Sequence, residues 1–249
     1  MQEILIRRNS VFAALDAGRR EFHQLWIQDD INKKTIDDIL TIAAQRNVTI
    51  KKAGKKEISN KAQDNSHQGV LLEASPYHYA AVDEILSLAA DRNEQPFILI
   101  LDLLHGPQNI GSLLRTAEIC GVHGVILQDR RAPDITPAVV QFSAGAAEYL
   151  LISQVTNLAH SINNLKEKGI WVVGLDIDEE AKQFGEVDLD LPIALVVGHE
   201  GSGLRRIIKK HCDFLLRLPM RGHTESLNAA VAGSILLYAA WQARGFKGA

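Results

Sequence analysis

With 249 residues, 46% of them hydrophobic and 23% charged, the chain can bury a sizeable core and suits one large or two modest globular domains. No apolar run approaches the roughly 20 residues needed to span a bilayer, because the longest candidate, Ala229 to Trp241, is broken by Gly233 and Ser234. The net charge of −3 is the wrong sign for a nucleic-acid partner, yet it is unevenly spread, with +2 on residues 1–75 and −5 on residues 76–249.

Hydrophobic periodicity predicts a first α/β unit over residues 1–75: a helix at Val11 to Ala17, a strand at Gln24 to Ile27, a helix at Lys33 to Arg46 and a strand at Val48 to Lys51. A short helix and a strand at Gly69 to Glu73 follow. Lys51, Lys52, Lys55, Lys56 and Lys61 form a run interrupted by one acid, Glu57, which reads either as a solvated face or as a patch that contacts phosphate. Residues 76–95 form the join, bracketed by Pro76 and Pro96. Val82, Ile85, Leu86 and Ala89 fall on one helical stripe there, so this linker is expected to be helical.

Residues 96–249 read as a second, parallel α/β domain. It opens with Phe97-Ile-Leu-Ile-Leu101, a continuous apolar run of the kind found in strands buried on both faces. Gly124 to Leu127, Ile170 to Leu175 and Ile193 to Val197 are of the same type, and helical patterns such as Asn109 to Cys120 and Asn157 to Lys168 alternate with them. Arg130 to Pro137 is a proline-containing loop. The last helix, about Leu227 to Ala243, is apolar on most faces and should be buried, with a second copy of itself as one partner. Cys120 and Cys212 lack partners at metal spacing and fit reduced core thiols. The first ten residues lack an apolar signal core, so a soluble cytoplasmic protein is expected.

Open parallel sheets bind ligands beyond the carboxyl ends of their strands, and three clusters follow strands here. The first, from Leu101 to Ala117, carries Asn109 near a helix start and Arg115 about two turns in; a helix cap and a structural ion pair are their plain readings. The second, Gly198-His199-Glu200-Gly201-Ser202-Gly203, lacks the glycine order of a dinucleotide fingerprint and is no P-loop. It supplies a turn whose backbone can approach a ligand, with a carboxylate beside it. The third, Leu218 to Ala232, runs from an apolar segment through a polar loop into the last helix. Ser226 is a candidate cap there, and Asn228 is an amide in the helix start that needs a partner.

Three motifs agree in order and spacing: Pro-Gln-Asn-Ile-Gly-Ser-Leu-Leu-Arg-Thr-Ala from Pro107, Val-Val-Gly-His-Glu-Gly-Ser-Gly-Leu from Val196, and Leu-Pro-Met-Arg-Gly-His-Thr-Glu-Ser-Leu-Asn-Ala-Ala-Val-Ala from Leu218. In this combination the sequence resembles the SpoU (TrmH) family of RNA ribose 2′-O-methyltransferases in the knotted SPOUT superfamily. It is especially similar to bacterial enzymes that methylate a guanosine of large-subunit (23S) ribosomal RNA. Arg-Asn-Ser-Val-Phe-Ala-Ala-Leu from Arg8 and His-Gln-Gly-Val from His67 extend the resemblance to the family's RNA-binding accessory domain. Arg7 stands where glycine is common in the family, and Gly106 where an acid is common.

The resemblance implies a small N-terminal RNA substrate-binding domain carrying Lys51, Lys52, Lys55, Lys56 and Lys61. It also implies a C-terminal domain with a deep trefoil knot that pairs into a homodimer. Segments at Gly174, at Val197, Gly198 and Gly201, and at Leu218, Met220 and Leu227 would wrap S-adenosylmethionine, and no metal is required. Arg115 would face the reacting hydroxyl; a guanidinium keeps its proton with a pKa above about 12, so stabilising the developing alkoxide or holding a phosphate suits it better than acting as base. Asn109, Ser226 and Asn228 would orient ribose and cofactor, and Glu200 would fix the loop or Arg115. A transfer-RNA ribose methyltransferase of the same fold is the alternative, and a non-catalytic RNA-binding ribosome-assembly factor a further one.

Overall fold

The computed structural model describes residues 2–129, 134–178 and 180–249. The chain begins β1 (Glu3–Ile6), α1 (Arg8–Ala17), β2 (Phe22–Gln28), α2 (Asp37–Gln45), β3 (Thr49–Ala53), α3 (Lys55–Ala62), β4 (Val70–Ala74) and α4 (Val82–Asp91). It continues with β5 (Phe97–Leu101), α5 (Pro107–Ile119), β6 (Gly124–Gln128), α6 (Pro137–Phe142), β7 (Leu151–Val155), α7 (Leu158–Glu167) and β8 (Trp171–Leu175). β9 (Lys182–Gln183), β10 (Ile193–Val197), α8 (Arg206–His211), β11 (Phe214–Arg217) and α9 (Ala229–Ala243) complete it. Two compact units result, Met1–His78 with Ile135–Tyr149, and Tyr79–Asp134 with Leu150–Ala249.

The first unit is a four-stranded sheet in the order β1-β4-β2-β3, with β4 antiparallel to both neighbours and β2 parallel to β3. Alternation along the strands puts Ile6, Trp26 and Leu71 on the face that packs with Ile58 of α3. The expected helix from Lys33 is interrupted. Asn32 accepts from the Lys34 amide at 3.1 Å and closes a 3-10 turn over Lys33–Thr35, and α2 begins only after Ile36. α1 starts earlier than expected, at Arg8, because Arg7 in front of it sits at φ 70° and ψ 143°. Side chains rarely take that conformation, which is the physical reason glycine suits the position.

The segment Ile135–Tyr149, from within the stretch expected as the second domain, falls in this first compact unit. Its reason is a buried charge. Arg20, 6% exposed, donates from Nη2 and Nε to Glu148 at 2.7 and 3.0 Å, and from Nη1 to Glu3 at 2.7 Å. The Tyr77 hydroxyl donates to the Ala147 carbonyl at 3.1 Å, and a Cβ on Gly145 would fall 2.8 Å from the Asn9 carbonyl oxygen. Of the loop expected at Arg130 to Pro137, residues 130–133 lie outside the described residues, and Pro137 opens α6.

The second unit is a seven-stranded parallel sheet in the order β7-β6-β5-β10-β8-β11-β9. β5 and β10 are buried at every residue, as their unbroken apolar runs require. One face packs Ile98, Ile100 and Val196 against Ile162 of α7, Ile208 of α8 and Ile85 of α4. The join is therefore structural. A Cβ on Gly124 would come within 2.5 Å of Ile85, so α4 is seated in this unit's core, and the compact unit takes in the chain from Tyr79. α5 and α9 pack against each other, and Gly233 brings α9 down onto Leu113 and Val197, where a Cβ would stand 2.9 Å from each. No helix among the described residues is long and apolar enough to cross a membrane.

Candidate active site

A pocket opens at the carboxyl ends of β8 and β10, the position a parallel sheet reserves for ligands. Its floor is Val197 and Gly198, and its walls are Leu175, Asp176 and Ile177 on one side and Leu218, Met220, Ser226 and Leu227 on the other. Gly198 is a close-approach glycine: a Cβ there would sit 2.5 Å from the main-chain carbon and oxygen of Gly203 and 2.7 Å from the Leu204 nitrogen. The loop from His199 to Gly203 closes on itself through His199 N–H to Gly203 O at 3.1 Å and Gly203 N–H to His199 O at 3.0 Å. Gly201 and Gly203 take φ 89° and 66°, values that favour glycine.

Beside this loop three polar side chains converge from distant parts of the sequence. Asn109 donates from Nδ2 to Glu200 at 2.8 Å, while Asn228 donates from Nδ2 to both Glu200 at 2.8 Å and the side-chain Oδ1 of Asn109 at 3.0 Å. The remaining oxygen of Asn228 accepts from the amides of Ala230 and Val231 and so caps α9. This assigns the cap to Asn228 and not to Ser226, because α9 starts at Ala229; Ser226 lines the pocket. Asn109 likewise is no cap: α5 begins after Gly106 with Pro107 in its first turn, which frees the Asn109 amide for Glu200.

Of the expected site residues, Val197, Gly198, Glu200, Gly201, Leu218, Met220, Ser226 and Leu227 line one pocket, and Asn109 and Asn228 join it through Glu200. Gly174 does not line it. Its absent Cβ makes room for Leu204, Cys212 and Leu215, and the next residue, Leu175, forms the wall. Arg115 is exposed on α5 and makes no hydrogen bond or ion pair among the described residues. The lysine run divides: Lys51 pairs with Glu57 and lies 3.8 Å from the Trp26 ring centre, and Lys61 pairs with Glu73 over the same ring. Lys52, Lys55 and Lys56 are exposed.

Sequence reasoning missed two carboxylates that fix the loops. Asp176, 6% exposed, accepts from Lys209 Nζ at 2.8 Å and from the Leu204 amide at 3.2 Å, tying the chain after β8 to the chain after β10. Burial pulls the Lys209 ammonium down, but Asp176 and Asp178 outweigh it and hold the group above its ordinary range. Asp102, fully buried, accepts from Arg205 N at 2.8 Å and Nε at 2.6 Å. The available signal was an acid placed directly after an apolar strand, at Leu101-Asp102 and Leu175-Asp176. No group of His, Cys, Asp or Glu among the described residues could hold a metal ion.

A parallel sheet with a glycine-loop pocket and an amide-carboxylate cluster at its mouth narrows the class, and comparison with known proteins fixes it. Residues 96–238 match the SpoU rRNA Methylase family and residues 8–80 match the family described as RNA 2′-O ribose methyltransferase substrate binding. The chain belongs to the SpoU (TrmH-type) family of RNA methyltransferases. It is 38% identical over 242 residues to YacO of Bacillus subtilis, which is assigned to the TrmH family of tRNA/rRNA methyltransferases, covering 97% of this chain and 96% of that one. Its fold is that of the SpoU methyltransferase AviRb of Streptomyces viridochromogenes, whose crystal structure is in complex with AdoMet (TM-score 0.81, 22% identity, 98% of this chain and 91% of that chain). An AdoMet-bound rRNA methyltransferase of Sinorhizobium meliloti is similar too, with a TM-score of 0.78 at 22% identity over 97% of this chain and 87% of that one.

Proposed function

We propose that the protein methylates a ribose 2′-hydroxyl of ribosomal RNA with S-adenosylmethionine as donor, a guanosine of the large-subunit RNA being the favoured target. The observation that carries this reading is the convergence of Asn109, Glu200 and Asn228 beside the Gly198 pocket. The pocket fits the donor chemically. Apolar walls at Leu218, Met220 and Leu227 suit an adenine ring, and a close-approach glycine loop exposes main-chain groups to its edge. When bound, the donor supplies an electrophilic methyl on a sulfonium. The chain must then align the ribose and manage the hydroxyl proton.

Glu200 accepts from two amides, so its carboxylate is held in place and holds Asn109 and Asn228 in turn. Arg115, without a protein partner, is available to an alkoxide or phosphate oxygen. The exposed face of α9 supports a homodimer: Val231, Ile235 and Tyr238 are 48%, 41% and 49% exposed and line a cleft with Asn109, Ser112 and Thr116 of α5. Insertion of β10 between β5 and β8 supports the knotted topology of the family.

The test is methyl transfer from labelled S-adenosylmethionine to protein-free ribosomal and transfer RNA, read as nucleotides resistant to alkaline cleavage. Arg115→Ala should abolish transfer with cofactor binding retained. Label on a base, or on transfer RNA alone, would overturn the assignment.

A further inference from the structure

The two N-terminal motifs, beginning at Arg8 and at His67, lie 59 residues apart in sequence and meet in one cleft. The Arg8 amide donates to Gln68 Oε1 at 3.1 Å, and Arg8 Nε donates to the Gln68 carbonyl at 3.3 Å. Below them His67, 1% exposed, is pinned: the Gly69 amide donates to its Nδ1 at 3.0 Å, so Nε2 carries the proton and donates to Ser59 Oγ at 3.1 Å. Burial, with Lys55 nearby, lowers the pKa of this imidazole and keeps it neutral. The cleft above has a volume of about 710 Å³, within the ~300–1,000 Å³ range of ligand sites.

We infer that this cleft grips an unpaired stretch of RNA, with Arg8 and Lys55 on phosphate and the amides of Asn9, Asn32, Asn65 and Gln68 on base edges. The inference rests on the RNA-methyltransferase reading and says where in the first unit the substrate is held. No carboxylate among the described residues lines the cleft. Two carboxylates stand at its margin: Asp30, which accepts from the amide of Gln28, and Asp64, which accepts from the Ser66 amide and acts on His67. Arg8 keeps its terminal amino groups, Lys55 its ammonium, and Asn9 and Asn65 their amides without hydrogen-bond partners among the described residues. Cations for phosphates and amides for donor-acceptor edges are the complement of single-stranded RNA; paired RNA hides those edges in a narrow groove. Gln68, at φ 55°, lines the cleft, and Arg7, at φ 70°, immediately precedes its lining residue Arg8. Lys51 and Lys61 play a different part, since Glu57, Glu73 and Trp26 hold them in the sheet face.

The test measures binding of a large-subunit ribosomal RNA transcript to the full chain across a salt series, with a plain RNA duplex as comparator. Lys55→Ala should weaken transcript binding about tenfold and lower the salt slope by about 0.7–0.9, the release expected from one phosphate. Asn65→Ala carries no charge change and should weaken binding about fivefold at an unchanged slope. Duplex binding should be affected by Lys55→Ala alone. Both side chains are exposed, and melting curves should match wild type. In turnover, the KM for RNA should rise while kcat and cofactor affinity hold. Lys210→Ala, an exposed cation of the second unit, should stay within twofold. If Lys55→Ala acts and Asn65→Ala does not, the cleft is only part of a diffuse positive face and the inference fails. If the wild type methylates the transcript and neither variant matters, the inference alone falls. If the wild type methylates no RNA, the functional reading falls with it.

Discussion

Replacing Gly198 by alanine is the most direct perturbation of the proposed cofactor site. The added methyl would meet main-chain atoms of Gly203 at 2.5 Å and of Leu204 at 2.7 Å, where ordinary contact begins at 3.4 Å. The loop must therefore retreat by about 0.9 Å, and no side-chain rotation relieves it. Overpacking of this kind costs about 1–3 kcal/mol. In a domain of this size each kcal/mol lowers Tm by about 2–4 °C, so a fall of roughly 5 °C is expected. A relaxed loop has to be forced back before S-adenosylmethionine can seat, and the same 1–3 kcal/mol then appears as about 5- to 150-fold weaker binding. Gly174→Ala is the matched control, because its methyl meets the ends of Leu204 and Leu215 side chains and the Cys212 sulfur, outside the pocket. It should lower Tm yet leave binding within threefold. Titration calorimetry and thermal melting of both variants read the two effects. Wild-type affinity in Gly198→Ala, with the loop shown to have moved, would refute the argument that this loop forms the binding surface.

Asn228→Asp keeps the oxygen that caps α9 but loses the Nδ2 donor and turns a second carboxylate toward Glu200, so methyl transfer should fall by more than tenfold while Tm drops less than in Asn228→Ala, which also loses a cap that contributes about 1 kcal/mol. Burial pushes the thiols of Cys120 and Cys212 up to about 11 and about 12, so neither should react with a thiol reagent at pH 8 in the folded chain, and both should react after denaturation. Burial also raises the Glu73 carboxyl, but Lys61, Gln2 and Trp26 outweigh it and hold the pKa below its ordinary 4.5. Its stabilisation is thus complete above pH 4.5 and lost as pH falls through the lowered value; Glu73→Gln should be less stable by about 1.5–3 kcal/mol at pH 7, with the difference vanishing in acid by urea unfolding.

The parallel sheet was legible because β5 and β10 are uninterrupted apolar runs, a pattern that only two-sided burial explains. The pocket was legible through glycines that permit close backbone approach. The triangle of Asn109, Glu200 and Asn228 was legible only as three separate polar residues, since periodicity says nothing about which loops meet. Helix starts were misread where a polar side chain had two possible employments. Asn109 looked like a cap, yet Pro107 already opens the helix, and Ser226 looked like one until Asn228 took the role with a single oxygen. β11 and α8 passed unnoticed because they are short and partly exposed, which leaves no clean period to detect. The join at 76–95 was seen as a helix, but its seating against Gly124 depends on a missing side chain 39 residues further on from Ile85. The membership of Ile135–Tyr149 in the first unit has no local signal at all.

That membership sets a timetable for the newborn chain. Arg20 emerges early from the ribosome, but the carboxylate that neutralises it in the folded interior comes 128 residues later. At about 5–20 residues per second, translation leaves an interval of roughly 6–25 s in which the amino-terminal sheet can form while its cation has Glu3 as carboxylate partner, with the Ser75 carbonyl and the Tyr77 ring beside it. Burying the guanidinium without Glu148 would leave much of its charge uncompensated, so closure around Arg20 is expected to wait for Glu148. Much of the chain between them, including β5 and β6, is synthesised first and must collapse on its own sheet without capturing the waiting surface.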